Sequence, residues 1–442
     1  MRRMRERLDY WWHDVQDSLW FIPTLLTAAA AGLALLMVEI DQRLGSDEGN
    51  TEIWLYGGGV DGARGVLTAI AGTMITVTGV VFSITIVALQ LASVQFTPRV
   101  LRAFTGDRGN QVVLGVFIGT FTYALLVLRT VRTEADDGER FVPALAVTVA
   151  TGLSLVSVGF LIYYIHHAAR SIQASVIIDR ATDDTRDLID ALFTSRAGLP
   201  VLPEAVMLPS TPATPVLAGE AGYVQTVDSE ALIYLARERG LTIRLTVGIG
   251  EFVLPGARLA EVWTTIGKVE TAEVSEAIQG AFVLGLERTL HDDPAFGFRQ
   301  LADIGIRALS PSINDPTTAM SCIDRLGELL VRLASREQPA TIRTSDEGGT
   351  LLVLTTTTVE QLVELAYGQI RHYGAADAVV MVHLAETLRR ISVLTPDACH
   401  EPLARQARLV RESARNKIAV EADLALVERA CVWASGSEAL GD

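Results

Sequence analysis

One charge-free run near the N-terminus concentrates the polar groups that could do chemistry. Residues 65–98 read GVLTAIAGTMITVTGVVFSITIVALQLASVQFTP, with no charged side chain. At about 100° of rotation per helical residue, Thr76, Ser83 and Gln90 fall on one stripe, with Val87 beside them. Hydroxyl and amide groups arranged in this way can replace water around a permeating solute, and a valine layer can gate by dewetting. The run therefore predicts a pore-lining helix.

Helix packing is the second interpretation of this stripe. It also carries three small residues, Gly65, Gly72 and Gly79. Small residues let helix backbones approach, and Ser and Thr hydroxyls can hydrogen-bond across the contact. The GxxxG pair Gly115 and Gly119, in the next apolar run, is then expected to meet the stripe. The sequence alone leaves packing and a water-filled pathway both open.

Charged groups near this run leave the selectivity of a pathway undecided. Arg99 and Arg102 follow the run and are expected to attract anions at its inner mouth, whereas acidic residues later in the chain attract cations. The apolar runs themselves contain no Asp, Glu, Lys or Arg, which argues against a pump or an ion-coupled carrier. His166 and His167 are adjacent and point about 100° apart on a helix, so they are expected to be plain interfacial residues and not a metal site.

A second polar cluster lies in the segment ALSPSINDPTTAM. Its candidate residues are Ser310, Ser312, Asn314 and Asp315. One interpretation is structural, because Asp293-Pro294 and Asp315-Pro316 each supply an N-cap carboxylate followed by Pro at the first helical position. The other interpretation makes the segment a ligand-binding or ion-binding loop, or a contact between subunits.

Enzyme signatures are missing from the sequence. It contains no GxxxxGK[ST], HExxH or GxSxG motif, and its three cysteines show no metal-ligand spacing. We therefore expect no catalytic residues, no cofactor and no metal. Residues 1–170 carry 13 arginines, no lysine and 15 acidic residues, so that the remaining 272 residues hold a net charge of −13 out of −15. This charge argues against nucleic acid as a partner, and we expect none.

The elements that must position these residues begin with four apolar runs. A membrane-spanning helix needs about 20 apolar residues to cross a hydrocarbon core roughly 30 Å thick. The qualifying runs are 20–38, 65–98, 109–128 and 141–165. The second run would be about 51 Å long as a helix, well beyond the hydrocarbon core. Arginines before the first run and between the second and third predict a cytoplasmic N-terminus, and an even number of spans returns the C-terminal half to the same side.

The rest of the chain has an α+β pattern. GYVQTV, LTIRLTVGI and RLAEVW are typical of short strands, and SEALIYLARERG of a helix capped by Ser229 and ended by Gly240. We expect an α-helical multi-pass membrane domain followed by an α+β cytoplasmic domain, with a small β-sandwich-like subdomain and a helical C-terminal part. The predicted limits are 1–170 for the transmembrane domain, 171–198 for a connecting helix, 199–218 for a Pro-rich linker without regular structure, 219–270 for the β-rich subdomain and 271–442 for the helix-rich part.

Three strings together resemble a known family. TGVVFSITIVALQLASVQFTPR, NQVVLGVFIGTF and ALSPSINDPTTAM, in this order, resemble a family of predicted bacterial inner-membrane proteins that is defined as a domain of unknown function. The likeness covers nearly the whole chain. It implies an integral protein of the inner membrane with cytoplasmic N- and C-termini. It implies no substrate or catalytic residue.

These observations lead to one hypothesis and one alternative. The hypothesis is a homo-oligomeric ion channel, or passive permeation pathway, lined by the second transmembrane helix and gated by the cytoplasmic domain. The alternative is a membrane-anchored sensor or scaffold whose cytoplasmic domain binds a partner or a small ligand, without transport. The expected partners are the lipid bilayer, further copies of the chain, and a small ligand or ion.

Overall fold

The chain forms two compact units, Met1–Val176 and Ile177–Asp442. A computed structural model describes their structure for residues 20–44, 56–95, 107–132, 141–171, 173–193, 208–264, 271–336, 342–344 and 350–435. The first unit has an apolar core built mainly from helices, whereas the second has a core that includes strands. The two units are described separately below.

Four helices make up most of the described part of the first unit. They are α1 (Phe21–Leu44), α2 (Val60–Gln95), α3 (Arg108–Leu128) and α4 (Ala144–Ser171). All four are long and apolar enough to cross a membrane, so the predicted number of apolar helices is confirmed. α2 has 36 residues and is about 54 Å long at 1.5 Å per residue.

Helix α3 is the centre of this unit, because it packs against α1, α2 and α4. The side chains of Phe117 and Tyr123 are fully buried in its contacts. The helix begins at an N-cap aspartate, Asp107, whose Oδ1 accepts hydrogen bonds from Gly109 N at 2.8 Å and Asn110 N at 3.4 Å. A carboxylate at this position satisfies donors that the first helical turn leaves unpaired.

Glycine allows a close approach between two helices of the first unit. A Cβ built at Gly115 would lie 3.1 Å from Pro23 Cα, and one built at Gly119 would lie 3.3 Å from Ala30 Cβ. Both contacts are with α1. The prediction that this GxxxG pair meets the α2 stripe is therefore wrong, because α3 turns its glycines toward α1.

A carboxylate near the end of α1 caps α4. Asp41 accepts hydrogen bonds from Leu145 N at 3.1 Å and from Ala146 N at 2.9 Å, one on each oxygen. The Tyr123 hydroxyl donates to Ala146 O at 3.1 Å. The bonds to Asp41 satisfy unpaired N–H groups where α4 begins, and together with the Tyr123 bond they tie three helices together at one end of the unit.

The second unit combines two small sheets with a layer of helices. Its strands are β1 (Thr214–Leu217), β2 (Gly222–Val227), β3 (Leu241–Leu245), β4 (Phe252–Val253), β5 (Arg258–Thr264), β6 (Phe282–Gly285), β7 (Ile342–Thr344) and β8 (Thr350–Val353). Its α-helices are α5 (Ala174–Leu192), α6 (Ser229–Arg239), α7 (Thr271–Gln279), α8 (Pro294–Ala308), α9 (Pro316–Ala334), α10 (Val359–Tyr373), α11 (Ala378–Leu394), α12 (His400–Lys417) and α13 (Glu421–Ala430). The four apolar helices are thus followed by the mixed helix and sheet region that the sequence predicts.

The two sheets share one apolar core. The strand order is β1-β5-β3-β8-β7 in one sheet and β4-β2-β6 in the other. Val224 of β2, Ile243 of β3 and Val262 of β5 are buried in the same cluster. The turn between β4 and β5 carries the chain from one sheet to the other, and Gly256 adopts φ +82° there. Glycine tolerates this left-handed conformation without a steric penalty.

Three local predictions need correction in the second unit. The Pro-rich segment is not wholly irregular, because β1 includes Pro215 and lies at a sheet edge, where a missing N–H is tolerated. Asp228, not Ser229, caps α6 and accepts from Ala231 N at 2.9 Å. The spacing of Ile172, Val176, Leu188 and Leu192 predicts an amphipathic helix with these residues on its apolar face. In the structure Val176 and Leu192 are exposed, and Ile177, Ile178 and Ile189 form the buried face of α5.

Glycine substitutions test the packing of the first unit. We expect Gly115→Leu to lower the free energy of unfolding by about 1–3 kcal/mol, because the new side chain overpacks the contact with α1. Gly72→Leu is the matched control, since it also replaces a helical glycine but faces open space in the described structure. Thermal unfolding of the monomeric protein in detergent, followed by circular dichroism, measures both. Equal stability of the two variants would contradict the packing described here.

Candidate functional site

The predicted pore-lining residues lie together on the outward face of α2. We define this face as Gly65, Gly72, Thr76, Gly79, Ser83, Val87 and Gln90. Every member is exposed within the chain, and the side chain of Val87 is 52% accessible. The predicted stripe is thus one continuous surface of the helix, and it faces away from the other three helices.

The opposite side of α2 makes the contacts within the bundle. Leu67, Met74, Val81 and Thr85 are buried there, at helical spacing. Residues that are three or four positions apart share a helix face, so the buried residues form one stripe and the polar residues form another. The two stripes lie on opposite sides of α2. Among the residues that the structure describes, the outward face of α2 therefore takes no part in packing.

The glycines of α2 show most directly that its outward face lacks packing contacts in the described structure. A Cβ built at Gly65, Gly72 or Gly79 would have no described atom within 4 Å apart from its own local backbone. By contrast, Gly115 and Gly119 of α3 are in tight contact with α1. A glycine in a helix interior costs about 1 kcal/mol relative to alanine. Nothing in the described part of the chain offsets this cost on the outward face of α2.

Other hydroxyl groups form the hydrogen bonds between helices. Thr85 Oγ1 lies 2.8 Å from Tyr164 Oη, which also donates to Val81 O at 2.9 Å. Thr120 Oγ1 and Ser157 Oγ lie 3.1 Å apart between α3 and α4. The sequence pattern did not predict these pairs. The position of Thr85 could have predicted its contact, because it lies nine residues after Thr76 and therefore on the opposite side of the helix.

The outward hydroxyls have a defined chemistry. Thr76 Oγ1 donates to Gly72 O at 2.8 Å, one turn earlier in α2. This bond uses the hydroxyl proton and leaves the oxygen lone pairs available on the outward face. A row of such groups can accept hydrogen bonds from water or contact a cation. The two predicted mouth charges, Arg99 and Arg102, lie outside the described residues.

His167 makes a contact with Asp107 that the sequence pattern did not predict. Its Nε2 lies 3.0 Å from Asp107 Oδ2, and its ring stacks on Tyr163 with a centroid separation of 5.4 Å. This pair links the end of α4 to the start of α3. His166 does not share the contact and is exposed. Among the described residues, no group of three or more His, Cys, Asp or Glu side chains could hold a metal ion.

The SPSINDP segment forms a tight exposed connection between α8 and α9. Asp315 caps α9, accepting from Thr318 N at 3.1 Å and Thr318 Oγ1 at 2.5 Å. Asn314 adopts φ +49°, and Asp315 N donates to Ala308 O at 2.8 Å to close the loop. Ser310 Oγ lies 3.2 Å from Ser312 Oγ. Helix capping and turn formation therefore explain most of the polar residues in this segment.

Comparison with known proteins supports the membrane assignment. Residues 16–390 match the family described as "Predicted membrane protein (DUF2254)". The chain belongs to this family. Two similar relatives are the uncharacterized protein Rv1290c of Mycobacterium tuberculosis and the uncharacterized protein Mb1321c of Mycobacterium bovis. Each is 35% identical over 435 residues, which cover 97% of this chain and 81% of the relative.

The family match confirms the resemblance identified in the sequence. It describes a predicted membrane protein, in agreement with the four apolar helices of the first unit. No solved structure matches the chain.

Substitutions in the connection between α8 and α9 test its structural role. We expect Asp315→Ala to lower the free energy of unfolding by about 1 kcal/mol, because it removes the N-cap of α9. Asn314→Gly suits the left-handed backbone, and Ser312→Ala removes an exposed hydroxyl, so both should stay within about 0.5 kcal/mol of the parent. Chemical denaturation of the full chain in detergent measures these differences. If Ser312→Ala destabilised the protein as much as Asp315→Ala, capping would not account for the segment.

Proposed function

We propose that the protein assembles in the membrane as a homo-oligomer whose α2 helices line a passive pathway for an ion or small solute. The observation that carries this proposal is the unpacked outward face of α2, where glycines and hydroxyls lie opposite the packed face. A lipid-facing surface needs no hydroxyl row and gains nothing from glycine. The role proposed is permeation and involves no catalysis.

A ring of copies needs two different surfaces on each subunit, because a heterologous contact joins one patch to another. The outward face of α2 is the first. α4 offers a second, since Cβ atoms built at its Gly152 and Gly159 also have no described neighbour within 4 Å. Both surfaces suit close helix approach in a bilayer, where small residues dominate helix contacts.

The proposed location follows from the arginine distribution. Arginines before α1 and between α2 and α3 favour a cytoplasmic N-terminus, and four spans then return the C-terminal unit to the cytoplasm. We accordingly propose an inner-membrane protein whose second unit regulates the pathway from the cytoplasmic side. The intervening loops carry fewer arginines among more acidic residues.

Packing without water is the second candidate for the same face. The seven-residue spacing of Gly65, Gly72 and Gly79 suits a dry contact between copies, with the protein acting as a membrane anchor for its second unit. Water access at the stripe separates the two functions.

Cysteine accessibility tests the pathway. We expect Thr76→Cys and Ser83→Cys to react with a membrane-impermeant thiol reagent about tenfold faster than two controls, because a thiol must be hydrated to form the reactive thiolate. Thr85→Cys is the control buried inside the chain, and Phe82→Cys is the control exposed on the flank of α2. The measurement is the labelling rate in membranes, with single-channel recording of the purified protein beside it.

The native thiols give a low background in this experiment. All three native cysteines are buried. Burial raises the pKa of Cys322 and Cys399, and that of Cys431 to about 11. If the reagent fails at Thr76 and Ser83 as it does at Thr85, and no conductance is recorded, the pathway is contradicted in favour of dry packing.

A further inference from the structure

A row of ion pairs holds α5 against α9 in the second unit. Arg325 Nη2 lies 2.6 Å from Asp179 Oδ1, and Arg186 Nη2 lies 2.6 Å from Glu328 Oε1. Arg325 Nη1 also contacts Glu328 Oε2 at 2.9 Å, which joins these pairs into one network. Acidic and basic groups thus alternate between the two helices.

The row continues at the C-terminal ends of both helices. Asp190 accepts from Arg332 on both of its oxygens, including Arg332 Nε at 2.7 Å, and from Arg336 Nη2 at 2.6 Å. Arg336 Nη1 also donates to Phe193 O at 3.2 Å. We call the network the α5–α9 clasp. It comprises Asp179, Arg186, Asp190, Arg325, Glu328, Arg332 and Arg336.

The clasp holds the helix that directly follows the four-helix unit along the chain. α5 begins three residues after α4 ends, so it is the element through which the chain leaves the four-helix unit. Its other side is apolar and buried, with Ile189 fully buried. At Gly297 of α8 a Cβ would lie only 2.0 Å from Thr185 Oγ1, so α8 closely approaches α5. Two kinds of contact therefore hold α5: apolar packing on one side and charge pairs on the other.

Only the charge pairs respond strongly to dissolved salt. Their side chains are partly open to solvent, from 16% for Arg336 to 53% for Asp179. Exposed pairs weaken as ions screen them, and the screening length falls from about 10 Å at 0.1 M to about 3 Å at 1 M. Apolar burial is not weakened by simple salts in this way.

Protonation does not set the state of the clasp at neutral pH. Hydrogen bonds from Arg332 lower the pKa of Asp190 below its ordinary value. A carboxyl whose folded pKa is depressed contributes stability above its unfolded value of about 3.9, and this contribution is lost as the pH falls through the folded pKa. Between pH 6 and 8, as rough limits, its charge is constant, which leaves ionic strength as the variable.

We propose that the α5–α9 clasp is an ionic-strength-sensitive latch, closed in dilute salt and released in concentrated salt, that sets the freedom of the helix following α4. The latch responds to screening by dissolved ions in general and not to the binding of a specific ion. The proposal concerns the second unit and does not require that any solute permeates the first.

Distance measurements on the full chain in lipid nanodiscs test the latch. Spin labels at Ala191→Cys and Ser335→Cys report the separation of the two helix ends, and both positions are exposed. Raising KCl from about 0.05 M to about 1 M should increase the population of longer distances about tenfold, because screening shortens to about 3 Å. Sucrose of equal osmolality should have no effect.

Two variants make the result specific. Asp190→Asn removes a partner of both Arg332 and Arg336, so the longer distances should already be populated at low salt and should change little on adding KCl. The matched control is Arg415→Gln, which breaks an exposed pair with Glu428 elsewhere in the unit and should behave like the parent. In each sample, native Cys322 should stay unreactive to thiol reagents, because it is buried on α9 and becomes accessible only on unfolding.

Three outcomes would overturn the latch. They are a distance distribution unchanged by KCl in the parent protein, an equal salt response in Asp190→Asn, or an effect of Arg415→Gln as large as that of Asp190→Asn. Exposure of Cys322 together with the longer distances would also overturn it, because the change would then be unfolding of the unit.

Discussion

The two-sided character of α2 is the constraint on which the first unit depends. A helix in a bilayer satisfies its own backbone groups, so its side chains alone decide which face meets protein, lipid or water. In α2 the packed side carries Leu67, Met74 and Val81, and its Thr85 hydroxyl meets Tyr164. The chain thereby completes its bundle without Thr76 or Ser83, and a polar surface remains on the outside.

Glycine serves two different purposes in this bundle. Gly115 and Gly119 bring α3 against α1 at distances where an added Cβ would be in tight contact. Gly72 and Gly79 have open space instead. The first pair explains how a small bundle closes around α3. The second pair makes no contact in the described part of the chain, and the proposed function places a further copy against it.

Local pattern predicted the parts of the fold that local physics decides. The apolar runs fixed four helices, Asp293 and Asp315 cap helices as their Asp-Pro sequences predict, and Gly240 ends α6 with φ +61°. The polar stripe is also where helical periodicity placed it. These features depend on residues within a few positions of one another.

The same local sequence patterns could not predict which distant elements contact one another. β3 pairs in parallel with β8 more than a hundred residues later, and the partner of the α3 glycines could have been any helix. The contact of His167 with Asp107 and the pairing of α5 with α9 likewise join distant segments. Such partners depend on how whole elements pack. A sequence pattern that predicts a helix is compatible with several arrangements of that helix against other elements.

Crosslinking between subunits tests the central claim, that the outward face of α2 meets another copy. Full-length protein with Gly79→Cys or Ser83→Cys would be treated in native membranes with a short bifunctional thiol reagent and sized by electrophoresis. The account predicts covalent oligomers for both variants, and monomers for Thr85→Cys, which is buried within the chain. Monomers for Gly79→Cys and Ser83→Cys, or equally efficient crosslinking at Phe82→Cys on the flank, would contradict it.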